Sequence, residues 1–437
     1  MTEPYPLEPW QVPGFLDARG GRLHMDGVDL VALAGRVGTP LLVFSESRIR
    51  RNARATRAAF GARGLVCYAA KACAHLAVLR AVRSEGLGIE VNSGGELAKA
   101  RYAGFPDDAI VFNGVAKSRD ELRSAMSPPI KAINVDSLDE LDRIVALAGT
   151  EGLTANVALR FAPDLTAAAA PGNQTGSATG KFGLAPAELA DALGRLAAHG
   201  NRVRLRGVHV HVGSQVSEGG AFADAARFAL AMVGEVEARG GVRLDHVNLG
   251  GGFPLDYVKG RRPDAAALQP RLGADAIAAA VAPTLAARPD LEIVVEPGRA
   301  IVGDAAALLA RVEAAKRRGD VPWLMLDAGY NVVLESFSYK WYFHALTANR
   351  ADDVAVGRFR LAGPLCDSGD AFHDVDGEGL LARVLAQAPA LATHEDVLRR
   401  ALVRLPALRE LPRATVPGDI VAFLDVGAYT LETMTPN

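Results

Sequence analysis

Short apolar runs rich in β-branched residues recur along the first two-thirds of the chain, each followed by a stretch with helical spacing. The runs are Pro40–Phe44, Leu65–Ala69, Gly88–Val91, Ala109–Phe112, Ala132–Val135, Val157–Phe161, Gly207–Val212, His246–Leu249 and Leu291–Val295. Ser93–Ala103 and Ser137–Leu147 exemplify the helical stretches between them. Strand alternating with helix predicts parallel βαβ units. About eight such units close into a (β/α)8 barrel, with the polar or glycine-rich strand ends forming its working face. Nine runs compete for those places, and the first can be a lead-in rather than a barrel strand. After Gly298 the rhythm stops. Ala307–Val312, Trp323–Leu326, Arg358–Leu361 and Ile420–Leu424 read as strands without regular helices between them. The expected organisation is therefore a barrel over 39–305 and a mainly β domain, barrel or sandwich, over 306–437. The N-terminal segment 1–38, short-stranded over Tyr5–Leu33, is expected to join the β domain.

One stretch, Ala167–Gly180, is small and polar without periodicity. It reads either as a surface loop or as a loop over the working face, since it follows a barrel strand.

A length of 437 residues fits two domains better than one core. Hydrophobic residues at 49%, charged residues at 22% and a net charge of −2 are ordinary for a globular protein and imply no polyanion partner. No apolar run is long enough to span a bilayer. The N-terminus MTEPYPLEPW lacks a basic and an apolar signal region, so a secretory signal is not expected and a cytoplasmic location is. Cys67, Cys73 and Cys366 form neither a disulfide framework nor a zinc site, and no metal is expected. Cys67 and Cys73 read as small packing residues.

Chemistry gathers at the strand ends. Lys71 closes an apolar strand in Cys67-Tyr68-Ala69-Ala70-Lys71-Ala72. His209 and His211 lie two apart before Gly213 and Ser214, and alternation puts both on one face, opposite Val208, Val210 and Val212. The valines suit packing under helices, which leaves the histidines facing the barrel interior. Gly250, Gly251 and Gly252 follow the next strand and let backbone N–H groups crowd an anion. Glu296-Pro297-Gly298-Arg299 closes another, with a carboxylate and a guanidinium. Lysine, imidazole, glycine cradle and carboxylate match the needs of pyridoxal 5'-phosphate (PLP): an amine for its aldehyde, a flat partner for its ring, N–H donors for its phosphate and an acid for its nitrogen.

The ordered segments YAAKA, VNSGGEL, HVHVGSQ, LGGGF, EPGR, GPLCDSGD and DVGAY resemble the signature of the fold-type III PLP decarboxylases, the diaminopimelate and ornithine decarboxylase family, from about residue 39 to 430. The resemblance implies a PLP-dependent carboxy-lyase acting on a small amino acid through a Schiff base on Lys71. It implies that His211 stacks on the ring and Glu296 pairs with its nitrogen. It further implies that Ser214, Gly250, Gly251, Gly252, Gly298, Arg299 and Tyr429 hold the phosphate end. Cys366, as proton donor, and Asp367, as substrate contact, would act across the interface of a homodimer with shared sites. Arg299, Glu335, Tyr339, Asp367 and Tyr429 are the expected substrate contacts. Arg160 and Glu90 are supporting residues, with Glu90 near Lys71 where the family typically has Asp. A carboxylate at 296 keeps the ring protonated and favours decarboxylation over the related racemases.

One stretch departs from the family. Diaminopimelate decarboxylases resemble DAGMNDLIRPALY where this chain reads Asp327-Ala328-Gly329-Tyr330-Asn331-Val332-Val333-Leu334-Glu335-Ser336-Phe337-Ser338-Tyr339. The arginine that holds the distal substrate carboxylate falls on Glu335. Either the charge is swapped, which points to a basic amino acid, or the loop is realigned and Glu335 faces water. True meso-diaminopimelate decarboxylation and a fold-type III racemase remain the alternatives. A non-catalytic PLP carrier and an inactive paralogue fit less well, given the β domain, Lys71 and Cys366.

Overall fold

The computed structural model describes residues 10–164, 180–198, 202–259 and 272–435. The stretch 167–179 lies outside them. The chain divides into two compact units: one runs from Ile49 to Leu255 and resumes up to Val302, and the other joins the N-terminal segment through Arg48, a short stretch from Asp256, and the chain from Gly303 onward.

The first unit is a closed barrel of eight parallel strands: Gly64–Ala69, Gly88–Val91, Ile110–Phe112, Ala132–Val135, Ala155–Phe161, Val203–Val210, His246–Asn248 and Glu292–Val295. Gly88–Val91, Ile110–Phe112 and Ala132–Val135 are buried on both faces, as a layer between helices and a packed interior requires. Cys67, Val111, Ala132, Ala158 and Val294 form one interior cluster. The run Leu41–Phe44 is no barrel strand. It pairs antiparallel with Ala306–Arg318, and its four residues are only half-buried.

Three successive strand-to-helix turns share one local device. Ser93, Ser118 and Ser137 cap the helices Gly94–Ala103, Arg119–Ala125 and Leu138–Glu151, each accepting from the N–H three residues on, at Glu96, Glu121 and Glu140. A serine oxygen satisfies an orphan N–H, so the helix begins where the strand ends. The strand-end side chains are thereby placed with little slack.

The second unit is built on the long strand Ala306–Arg318, which pairs with Leu41–Phe44, Val321–Leu326 and Ile420–Leu424. Ala345–Thr347, Val356–Ala362 and Arg409–Pro412 complete the sheet. A three-stranded meander, Leu16–Arg19, Arg22–Met25 and Val28–Asp29, packs on it through Trp10, Phe15, Leu23 and Met25 against Leu309, Ile420 and Leu424. The N-terminal segment is thus part of the β domain. The helices Leu30–Val37, Val375–Gln387 and Glu395–Leu402 are absent from the strand-only reading of these segments.

Candidate active site

Lys71 sits two residues past the end of the regular strand. The strand ends at Ala69, and Ala70–Ala72 form a 3-10 turn. Strand alternation therefore does not carry from Cys67 to Lys71. The Lys71 side chain is 39% exposed, and its Nζ lies 3.5 Å from Glu90 Oε2.

Behind the lysine is a buried polar layer. Glu90 is fully buried and Glu296 nearly so. The Asn113 amide spans the two, donating to Glu90 Oε1 at 2.8 Å and to Glu296 Oε2 at 2.9 Å. The Asn248 Nδ2 donates to Glu296 Oε1 at 2.7 Å, and the Asn134 Nδ2 reaches the same oxygen at 3.5 Å while donating to Asn113 Oδ1 at 2.8 Å. Burial alone would raise Glu296, but His209, Lys71 and Asn248 hold it below the usual carboxylate range. Burial also pushes His209 below 6.5, so its ring is neutral near pH 7. With the His209 ring neutral, the Lys71 cation and the Asn248 amide sustain the Glu296 charge, and the Asn113 amide donates beside them. Glu90 goes the other way: burial, with the Glu296 charge adding to it against the opposing pull of Lys71, lifts it to about 7.

The three asparagines have a faint mark in the sequence, a single amide inside apolar strand-end runs, VFNG, INVD and VNLG. Nothing in that mark assigns them to a shared carboxylate pair. Arg160 is buried against Asp136 at 3.2 Å, and Lys117 is buried on Glu140 at 2.7 Å.

His209 and His211 part company. The strand closes at Val210, and His209 points at Glu296, 3.4 Å away. His211 lies beyond it and accepts the Gly251 N–H at Nδ1, 3.0 Å away. Burial, Lys71 and Arg160 hold its ring well below the ordinary imidazole value, so it is neutral. Val208, Val210 and Val212 are all buried, the last of them beyond the regular strand. The glycines fit tightly: a Cβ on Gly250 would lie 2.6 Å from His211 Nδ1, on Gly251 2.4 Å from the Glu296 carbonyl, and on Gly252 2.5 Å from the Gly213 carbonyl. Gly250 and Gly252 also have φ of 69° and 96°. Arg299, buried at the start of a short helix behind Gly298, reaches Ser214 Oγ at 3.5 Å.

The other candidates lie in the β unit. Cys366 and Asp367 are exposed on a loop anchored by buried Asp370, which accepts the Tyr330 N–H at 2.9 Å and the Leu365 N–H at 2.8 Å. The Tyr330 hydroxyl donates to Asp367 at 3.2 Å. Glu335 lies in the helix Leu334–Ser338 with 7% of its surface exposed, so it does not face water. Tyr339 is 52% exposed, and Tyr429 follows Ile420–Leu424 in a left-handed conformation with φ 68°. Among the described residues no cluster of His, Cys, Asp or Glu is arranged to hold a metal, and no helix is long and apolar enough to cross a membrane.

The barrel unit fits PLP: a cradle closed to any Cβ, an amine beside it, a neutral ring and a buried ionised carboxylate meet on consecutive strand ends. These features define a PLP enzyme built on a (β/α)8 barrel with an appended β domain. The chain belongs to the pyridoxal-dependent decarboxylases, whose pyridoxal binding domain matches residues 46–303. It is 37% identical to a diaminopimelate decarboxylase of Pseudomonas fluorescens over 354 residues, 80% of this chain and 82% of that one. It is 33% identical to the diaminopimelate decarboxylase of Methanocaldococcus jannaschii over 426 residues, 95% and 87% of the two chains. The crystal structure of the latter enzyme with L-lysine has a TM-score of 0.80 at 31% identity, covering 96% and 89%. The chain is a PLP-dependent carboxy-lyase.

Proposed function

We infer that this carboxy-lyase removes the α-carboxylate of an amino acid whose far end carries a cation, a diamino acid or a relative of one. One observation carries the substrate class: Glu335 stands where the resembled diaminopimelate decarboxylases have a carboxylate-binding arginine, and its side chain is buried. A buried carboxylate disfavours a distal substrate carboxylate by roughly 1–4 kcal/mol and favours an ammonium or guanidinium. Asp367 is a second acid assigned to that end.

Bound PLP supplies the electron sink for the charge left at the α-carbon when carbon dioxide departs. Lys71 holds the cofactor covalently, and Glu296, kept ionised by Asn113 and Asn248, is assigned to the ring nitrogen. Neutral His211 offers a flat face without adding charge. Ser214, Gly250, Gly251, Gly252, Gly298, Arg299 and Tyr429 are assigned to the phosphate end, with Arg299, Tyr339 and Tyr429 also toward the substrate. Cys366 returns a proton to the α-carbon across the interface of a cytoplasmic homodimer. The second reading is meso-diaminopimelate itself, favoured by the names of the relatives.

Carbon dioxide release from lysine, ornithine, arginine and meso-diaminopimelate, in each available stereochemistry and at equal concentration, separates the two. A basic amino acid is expected to have the higher specificity constant, by about tenfold or more. Glu335→Arg is expected to shift preference toward diaminopimelate. Wild-type preference for meso-diaminopimelate would overturn the substrate class.

A further inference from the structure

Glu90 is a fully buried acid to which the chemistry above gives no task. Its surroundings are lopsided compared with those of Glu296. Glu296 receives the Asn248 and Asn113 amides at 2.7 and 2.9 Å, with Asn134 at 3.5 Å. Glu90 receives one amide, from Asn113, and among the described residues its Oε2 accepts no hydrogen bond. What that oxygen faces is the Lys71 Nζ at 3.5 Å. Two carboxylates joined by one amide cannot both stay charged cheaply in a buried site, and the donors decide which keeps the charge. That one is Glu296. Glu90 is left to be neutralised by the lysine cation or by a proton.

Lys71 must lose a proton to react. Only the neutral amine has the lone pair that attacks an aldehyde, and the lysine is set free as an amine again each time a substrate displaces it. We propose that Glu90 is the proton acceptor for Lys71. The Lys71 ammonium gives one proton to Glu90 Oε2, leaving a neutral amine beside a neutral carboxylic acid. The N–H bond breaks, an O–H bond forms, and the total charge of the pair is unchanged. The proposal rests on Lys71 being the residue that carries the cofactor.

The other charged and titratable groups around Glu90 are consistent with this. Glu296, and Glu96 on the helix Gly94–Ala103, both disfavour a second negative charge there. Arg160 is occupied by Asp136, and His209 and His211 are neutral. With Glu90 lifted to about 7, chiefly by burial, its proton affinity suits exchange near neutral pH.

Glu90→Gln is the direct test, because glutamine keeps the volume and can still accept from Asn113. Full-length apoprotein is mixed with PLP, and uptake is followed by absorbance from pH 6 to 10. Wild type should reach its full rate near pH 7. E90Q should be slower by about a hundredfold at pH 7 and regain the wild-type rate only at higher pH. An unchanged pH profile in E90Q overturns the proposal. Should E90Q fold poorly, Glu90→Ala with added formate carries the same test. Formate fills the vacated space, and uptake at pH 7 should rise with its concentration; no response to formate would overturn the proposal. Borohydride reduction with peptide mapping guards the premise: a label on a residue other than Lys71 sinks the cofactor assignment and this proposal with it. A label on Lys71 with an unmoved E90Q profile sinks the proposal alone.

Discussion

Gly251→Ala tests the cofactor cradle by sterics alone, because Gly251 does not need a left-handed backbone. The added Cβ would lie 2.4 Å from the Glu296 carbonyl oxygen. The two strand ends must then separate by at least about 0.6 Å to reach a tolerable 3.0 Å contact. Neither side is free to move. The Glu296 N–H donates to the Gly250 carbonyl at 2.8 Å, and the Gly251 N–H donates to His211 Nδ1 at 3.0 Å. Straining or breaking these bonds costs ~0.5–1.5 kcal/mol each, and the overpacking adds ~1–3 kcal/mol. The expected penalty is therefore roughly 2–6 kcal/mol, shared between folding stability and PLP binding. If about 2 kcal/mol falls on binding, the PLP dissociation constant rises about thirtyfold. Equilibrium PLP titration of the apoprotein and urea unfolding measure the two shares. Gly220→Ala is the control: it lies in the helix Gly219–Gly240 and a Cβ there meets nothing within 4 Å, so PLP affinity should match wild type and stability should not fall. A G251A protein with wild-type PLP affinity and wild-type stability would refute the cradle.

Two further outcomes are expected. Glu296→Gln presents one amide NH2 end to the Asn113 and Asn248 donors, so it cannot serve both; turnover should fall about 10²–10³-fold while PLP stays bound, and unchanged turnover would mean that residue 296 does not act on the ring nitrogen. His246 is pushed from 6.5 to about 3 by burial, with Lys131 and Arg206 adding to it. The unfolded chain takes up a proton that the folded one refuses, so this contribution is complete above pH 6.5 and is lost as pH falls toward 3, at ~1.4 kcal/mol per unit. Between pH 6.5 and 5, wild type should lose ~2 kcal/mol more than His246→Asn in urea unfolding. Glu90 and Asp425 titrate in the opposite sense in both proteins and cancel in the difference, so equal slopes would refute the assignment.

The chain's local patterns determined a good deal. Apolar runs and their spacing marked the eight barrel strands, because burial on both faces selects β-branched residues along the run itself. The strand-end residues Lys71, His211, Gly250–Gly252 and Glu296 were legible for the same reason, since a barrel collects its chemistry at those ends. Leu41–Phe44 carries the same composition as a barrel strand, and only its antiparallel partner at Ala306–Leu309 places it elsewhere. A strand's partner is not written in the strand.

Tertiary structure alone decided how the chemistry is shared out. Counting residues puts Cys67 and Lys71 on one face, but the chain turns at Ala70. His209 and His211 look equivalent in sequence, yet one meets Glu296 and the other meets Gly251, because the strand ends between them. The division of labour between Glu90 and Glu296 depends on Asn113, Asn134 and Asn248, contributed by strands spread along the chain. Composition and periodicity act over a few neighbouring residues. A carboxyl's charge depends on how many donors converge on it, and only closure of the barrel brings those donors together.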